Sequence, residues 1–288
     1  MRTIGVFLWL FCAVFVLFSG STSHAQGDLV VTSPLTLSSD QTFNNVTIRA
    51  GVSLTLGGHT LTVLGNLTVE ANSSSAPHLI LTNSADTLTV FGNVLFRGRN
   101  TLTEAVIRLH GNFTEDFNGA TIQPGTPGTR FEFVGVNPQT VTFSSPGVNN
   151  AFFKNVAIFN TAGVTLATDV FIKGQLKLEE DAVLTQTGTS EVYFSVRLPD
   201  IDEGTYNVVN TRINGSVTMI EGFTLESSTN HLFIAANTSL TLNGHDLRMK
   251  GNLTVEANSS SAPHLILTNS ADTLTVFGNV LFRARVTR

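Results

Sequence analysis

The chain has 288 residues, 42% of them hydrophobic and only 13% charged, with a formal net charge of −5. That charge density is about half the usual share for a soluble domain, and the abundant apolar surface excludes a disordered, solvating tail. The mild acidity, with Lys and Arg scattered along the chain, leaves no electrostatic footprint for nucleic acid.

The N-terminus reads as an address. Met1-Arg2-Thr3 is a short positive start, Ile4 to Phe18 is apolar apart from Gly5, and Ser19 to Ala25 is small or polar except for His24. Small residues at Ser23 and Ala25 predict a secretory signal peptide over residues 1–25, cut between Ala25 and Gln26. A retained anchor fits less well, because fifteen helical residues rise about 22 Å against a hydrocarbon core of roughly 30 Å. Bulky Phe11 precedes Cys12 where a lipoprotein signal carries a small residue. Cleavage removes the only Cys (Cys12), the only Trp (Trp9) and Arg2, leaving a net charge of −6. The exported chain then has no thiol, no disulfide and no Cys-based metal site, and its expected location is secreted or at the cell surface.

From residue 26 a single β-solenoid is expected to run to residue 288. Apolar triplets occur at Leu54-Leu56, Leu61-Val63 and Leu67-Val69, and again at Leu79-Leu81, Leu88-Val90 and Val94-Phe96. In each triplet the outer residues share one face and the middle one, usually Thr, points the other way. First pairs with first at 25, 27 and 27 positions, with Gly, Asn, Asp or Ser between. Three short strands in each such period predict an all-β, three-sided parallel β-helix with coils of about 25–27 residues. Ile107-Leu109 is expected to continue the series 28 positions after Leu79. One triplet cannot hold itself folded, but stacked coils share a continuous apolar interior. Corners call for residues that accept positive φ, which Gly57-Gly58, Gly65-Asn66, Gly92-Asn93 and Asn243-Gly244 can supply. Phe91, Phe96, Phe131, Phe133, Phe152 and Phe153 are expected in the core.

Downstream, strands are expected at Arg130–Gly135, Gln139–Phe143, Ala151–Ile158, Gly163–Leu166, Val170–Ile172 and Gln175–Leu178, with protruding loops at Pro124–Pro127 and Leu198–Gly204. The segment Gly251–Arg283 repeats Gly65–Arg97 residue for residue, and similarity extends the duplicated segments to 53–97 and 239–283. Identity of that length marks a recent duplication of the coding sequence or an assembly artefact, not a functional site. With no polar cap after the repeated block, the last coil is expected to need further repeats or a neighbouring molecule.

The phrasing S-L-T-L-x-G-H-x-L at Ser53–Leu61 and Ser239–Leu247, each followed by G-N-L-T-V, resembles bacterial secreted β-solenoid proteins. The run Phe153–Ile158 before Gly163–Leu166 has the same resemblance. These are the parallel β-helix passengers of autotransporters and the haemagglutinin-like adhesins, and the likeness of pattern covers most of residues 29–288. It implies an adhesin or a surface stalk whose partners are cell-surface glycans or other copies of the solenoid. Within these 288 residues no haemagglutinin-type secretion signature and no translocator-barrel pattern is read, which leaves the export route and the anchoring mode open.

Motifs for chemistry are sparse. The sequence has no G-x-S-x-G elbow, no H-E-x-x-H, no P-loop, no G-x-G-x-x-G and no G-G-x-G-x-D calcium repeat. Asp200-Ile201-Asp202-Glu203-Gly204 is the nearest approach to a calcium loop, but its Gly comes one place early and Thr211 stands where the twelfth-position Glu belongs. Glu179-Glu180-Asp181 reads as a charged corner. His59, His78, His110, His231, His245 and His264 sit at turns or strand starts without metal-ligand spacing. Asn45, Asn66, Asn112, Asn214 and Asn252 head N-x-S/T triplets that matter only in a glycosylating host.

Parallel β-helices also carry polysaccharide lyases and glycosidases, whose chemistry needs carboxylates meeting on one face. A period of about 26 places Glu70 beside Phe96 or Arg97 and Asp86 beside Asn112 or Phe113, so no acidic ladder forms. Asp181 against residues 201–203 is the one candidate. The sequence therefore points to a non-catalytic extracellular structural or adhesive solenoid with no catalytic, cofactor-binding or metal residues. Its outward Thr, Ser and Asn are expected to meet a surface or glycan. A carbohydrate-active enzyme with a site near Asp181 to Glu203, or a truncated piece of a larger surface protein, are the alternatives.

Overall fold

Alternation of buried and outward side chains along each triplet winds the chain into stacked parallel strands. The computed structural model describes residues 26–71, 78–116, 122–124, 128–201, 204–256 and 265–283; residues 1–25, where a signal peptide is expected, lie outside them. The described residues are all-β and form a parallel β-solenoid. None of them forms a helix long and apolar enough to cross a membrane.

Three faces are visited in the order I, II, III, with one exception: between Gln139–Phe143 on face I and Asn155–Ile158 on face III, face II is marked only by the isolated bridge of Phe153 to Ile172. Face I is a nine-stranded sheet from Leu29–Val31 to Thr205–Asn207. Face II begins as five strands from Leu35–Thr36 to Ile122–Pro124, and in winding order continues as six strands from Val170–Ile172 to Val280–Phe282. Face III is an eight-stranded sheet from Gln41–Phe43 to Asp200–Ile201. Beyond these ends the winding continues on face III with Ser216–Thr218, Ser239–Thr241 and Leu265–Ile266. Face I resumes with Phe223–Leu225, Asp246–Met249 and Thr273–Val276.

The expected pairs hold: Leu54 sits on Leu79, Leu61 on Leu88 and Leu67 on Val94. Other coils are shorter, as with Leu29 on Val46 and Val46 on Leu67. Ile107 does not follow Leu79; it pairs with Leu88, and the unexpected strand Asn100–Leu102 covers Leu79–Leu81. Asp86 therefore lies one coil below the Ala105–Val106 corner, not beside Asn112 or Phe113, and accepts nothing from either. The downstream strands fall within the expected segments, except that of Ala151–Ile158 only Asn155–Ile158 is a strand and that Pro124, expected in a loop, ends the strand Ile122–Pro124; the supposed Leu198–Gly204 loop contains the strand Asp200–Ile201, paired with Lys177–Leu178.

Inside, Leu54, Leu61, Val63, Leu67, Val69, Leu88 and Val90 are fully buried. Each such side chain stabilises the fold by about 1.5–3 kcal/mol relative to exposure. Mid-array, Phe113 lies 5.5 Å from Phe96 and 5.7 Å from Phe131, while Phe153 lies 4.7 Å from Phe131 and 5.0 Å from Phe143. Phe91 is the exception: it points outward, 47% exposed, and stacks on His110 at 4.3 Å.

The corners use two different devices. Gly57, Gly58, Asn243 and Gly244 adopt positive φ, as expected. Gly65 and Gly92 do not; a Cβ on Gly92 would fall 2.5 Å from the Gly65 carbonyl oxygen, so glycine is required there by close stacking of backbones. Beside that column runs an asparagine ladder. The backbone N–H of Asn66 donates to Asn45 Oδ1 at 2.8 Å, that of Asn93 to Asn66, that of Asn112 to Asn93, and that of Thr140 to Asn112. Three of the N-x-S/T asparagines thus hold up the coil above them.

Candidate functional site

The outward residues of stacked strands form columns. On face I, Thr47 lies on Thr68, Thr114 on Thr142, and Thr140, Thr165 and Thr185 follow one another; the last two hydroxyls are 3.0 Å apart. On face III, Thr42, Thr62 and Thr89 lead to Arg108 and Glu132. Glu132 is nearly buried between two guanidinium groups, 2.8 Å from Arg108 Nε and in contact with Arg130.

Face II is different in its upper half, where Phe171, Tyr193, Arg212 and Phe233 succeed one another. Phe171 and Tyr193 stack at 4.0 Å, and the Arg212 guanidinium lies 5.0 Å from the Phe233 ring. Arg212 donates to both oxygens of Glu191, at 2.9 and 3.0 Å, and to Glu256 at 3.0 Å. Burial alone would raise the Glu191 carboxyl, but hydrogen bonds from Arg212 and Tyr193 outweigh it and hold the group below its ordinary range. The ring faces are occupied by one another, so this column is closed packing and not an open platform.

Face II is interrupted between Ile122–Pro124 and Val170–Ile172, and faces I and III are interrupted together at one later level. Faces I and III both end at the coil holding Asp200–Ile201 and Thr205–Asn207, and the strands that follow on those faces pair only onward. Face II runs through the same level without interruption, with Val192 on Thr211 and Thr211 on Leu232. The two coils therefore stay in contact on one side and part on the other. A groove of about 380 Å³ opens between them, lined among others by Thr205, Tyr206, Glu221, Phe223, Thr224 and Glu226.

Outward threonines within the sheets, such as Thr62, Thr89 and Thr165, are half-buried, whereas Thr205, Asn207, Ser216, Thr218 and Thr224 at the break are exposed. The groove floor is apolar. The Tyr206 ring meets Phe223 edge-on at 6.0 Å, and its hydroxyl, held protonated by burial, lies 2.9 Å from the Thr211 hydroxyl. The rim is acidic. Partial loss of water raises the Glu221 carboxyl, the Asp200 carboxylate raises it further, and His245 and Lys177 act in the opposite direction. Glu226 pairs with Lys250 at 2.6 Å.

The described acidic residues singled out from sequence fall around this break. Asp181 is exposed at a corner with φ of 59°. Glu179 is paired with Lys177 at 2.8 Å, and Asp200 lies 3.4 Å from Gln175 Nε2. Asp202 and Glu203 lie outside the described residues, as does His264. His59 faces Asp40 at 3.7 Å, His78 contacts the Val52 carbonyl at 2.9 Å, and His231 contacts Asn252 at 3.0 Å. Among the described residues no three His, Cys, Asp or Glu side chains come together to hold a metal ion. Sequence reasoning missed Glu221, Tyr206 and Thr224. Their one signal is spacing: Asp200 and Ser216, which begin successive face III strands, are only 16 positions apart, shorter than any paired coil.

Compared with protein-family models, curated proteins and solved structures, the chain matches none.

Proposed function

We propose that this chain is a non-catalytic structural or adhesive β-solenoid of the cell exterior, whose flat polar columns contact a surface glycan or further solenoid. The observation that carries this reading is the outward surface of faces I and III. Threonines repeat there at the strand spacing of about 4.8 Å and present hydroxyls in rows, a pattern suited to many weak, repeated hydrogen bonds with an extended polar ligand. Several carboxylates of the faces are already paired. Glu70 is bonded to Arg49, Glu132 to Arg108 and Arg130, and Glu191 and Glu256 to Arg212. A lyase or glycosidase needs such groups free and convergent. The N-terminal pattern over residues 1–25 supports export.

The test is co-sedimentation of the purified chain with a panel of insoluble polysaccharides and bacterial surface material, alongside a turnover assay on the same polysaccharides. Binding without release of reducing or unsaturated ends is the expected result. It should weaken when Thr140, Thr165 and Thr185 are together replaced by Asp. Product release above background would overturn the reading in favour of a carbohydrate-active enzyme, and no binding to any member of the panel would also overturn it.

A further inference from the structure

The groove at the break is bounded by two strand edges, and those edges define what could fill it. In a parallel pair, the N–H and C=O of one residue point to the same neighbouring strand, and the next residue points the other way. The Thr205 N–H donates to the Ala182 carbonyl of the coil below, so the amide groups of Tyr206 face the groove. Across it, the Lys250 N–H donates to the Leu225 carbonyl, so Leu225 faces onward and Thr224 turns its N–H and C=O to the groove. Both residues line the opening.

Unpaired strand edges are templates for another strand, and proteins commonly cover or blunt them. Here neither edge carries a proline or a lysine, and the two confront one another across solvent. The missing partner is thus an extended backbone able to give and accept on both sides, the complement used in β-strand addition. Charge narrows it further. Among the described residues the charged side chains lining the groove are Glu221 and Glu226; Glu226 is already paired with Lys250, which leaves Glu221 as the acidic group facing a partner, over a floor made by the Tyr206 and Phe223 rings. A strand with apolar residues facing in and Lys or Arg facing out meets both conditions.

We propose that the groove between Thr205–Asn207 and Phe223–Leu225 is an acceptor slot for an extended, alternately apolar and basic polypeptide segment of a partner protein. This reading is independent of the polar columns, which lie on other coils.

The experiment titrates the full chain into a fluorescein-labelled peptide of alternating Val and Lys, read by fluorescence anisotropy. A Val-Glu peptide and a Gly-Lys peptide serve as controls. Saturable binding of the Val-Lys peptide alone is expected, and addition of unlabelled peptide should slow hydrogen exchange at the Tyr206 and Thr224 amides. Thr224→Pro removes the groove-facing donor while sparing the onward ladder, so binding should vanish with the melting temperature unchanged. Glu221→Gln should weaken binding up to about fivefold, the scale of one exposed ion pair. Should Thr224→Pro unfold the chain, the exchange protection and the Glu221→Gln titration carry the test alone. The proposal is overturned by an absence of saturable binding up to about 1 mM peptide. Equal binding of the Gly-Lys control, protection spread away from Tyr206 and Thr224, or displacement of the peptide by a neutral oligosaccharide would also overturn it.

Discussion

Truncating Phe96 and Phe282 separately compares one side chain in two settings. Residues 65–97 and 251–283 have the same sequence, so propensity, corner chemistry and local contacts are matched, and only the stacking partner differs. Phe96 is fully buried beneath the coil carrying Phe113–Glu115, with its ring edge-on to Phe113 at 5.5 Å. Phe282 is 59% exposed, because no described strand covers it. Phe96→Ala should cost about 3–5 kcal/mol, the range for emptying a buried ring site. Roughly 0.5–1.5 kcal/mol of that belongs to the lost ring pair. Phe282→Ala gives up about two fifths of one ring's burial, so its cost should be about 1 kcal/mol. In a stacked array each coil is coupled mainly to its neighbours. Phe96→Ala should therefore lower the midpoint of the main urea transition followed by far-UV circular dichroism. Phe282→Ala should instead speed hydrogen exchange in residues 265–283 and leave that midpoint almost in place. Equal losses from the two substitutions would refute the reasoning, since they would mean that the covering coil contributes nothing to the burial of this residue.

Three further outcomes follow from the corners and charges. Gly92→Ala should destabilise by about 1–3 kcal/mol in thermal melts, because the new Cβ meets the Gly65 carbonyl, a backbone atom that cannot step aside. Asp86 is fully buried and accepts from the backbone N–H groups of Gly58, Thr82 and Asn83 at 2.6, 2.9 and 3.1 Å. Asp86→Ala should cost about 3 kcal/mol by urea denaturation, through orphaned donors, with a smaller loss for Asp272→Ala at the matching but only half-buried position. Glu191 has a lowered carboxyl pKa, so its contribution to stability is present above the unfolded-state value and is lost as pH falls through the folded-state value. Urea midpoints measured across the acid range should show that loss in the unaltered chain, and it should shrink in Arg212→Met.

Where inward positions are aliphatic, the fold was legible from triplets alone: Leu61-Thr62-Val63 and Leu88-Thr89-Val90 announce their strand, their face and their register. Asn100-Thr101-Leu102 was missed because its first inward residue is polar. The Asn100 carboxamide compensates inside the coil, accepting from the Leu79 N–H at 3.2 Å and donating to the Gly98 carbonyl at 3.0 Å. The paired strand Asp200–Ile201 reads as loop in sequence because Pro199 and an acidic run surround it, yet only two residues are needed to prolong a parallel ladder. The groove was less legible still. It consists of hydrogen bonds that are not made, and no residue type encodes an absent partner. Glu221 and Thr224 look like any exposed Glu and Thr until the strands on either side are seen to part.

The duplicated segment shows at what level the sequence directs this architecture. In the first copy, Leu79–Leu81, Thr87–Val90 and Val94–Phe96 occupy faces II, III and I. In the second copy, Leu265–Ile266, Thr273–Val276 and Val280–Phe282 occupy faces III, I and II, one step further round. The same residues thus make the same strands and corners on different sides of the solenoid. Face identity is not written in the triplets; the shift by one face arises because, between Gln139–Phe143 on face I and Asn155–Ile158 on face III, the winding passes face II with no strand, only the isolated bridge of Phe153 to Ile172. Each coil needs only an apolar interior and a corner that its lower neighbour can accept, which is the nearest-neighbour logic of stacked repeats. An array built this way tolerates a coil whose strands fail to reach the next on two faces, provided the third stays paired. At this level face II is continuous, through Val192, Thr211 and Leu232, and that lets the groove exist without severing the solenoid.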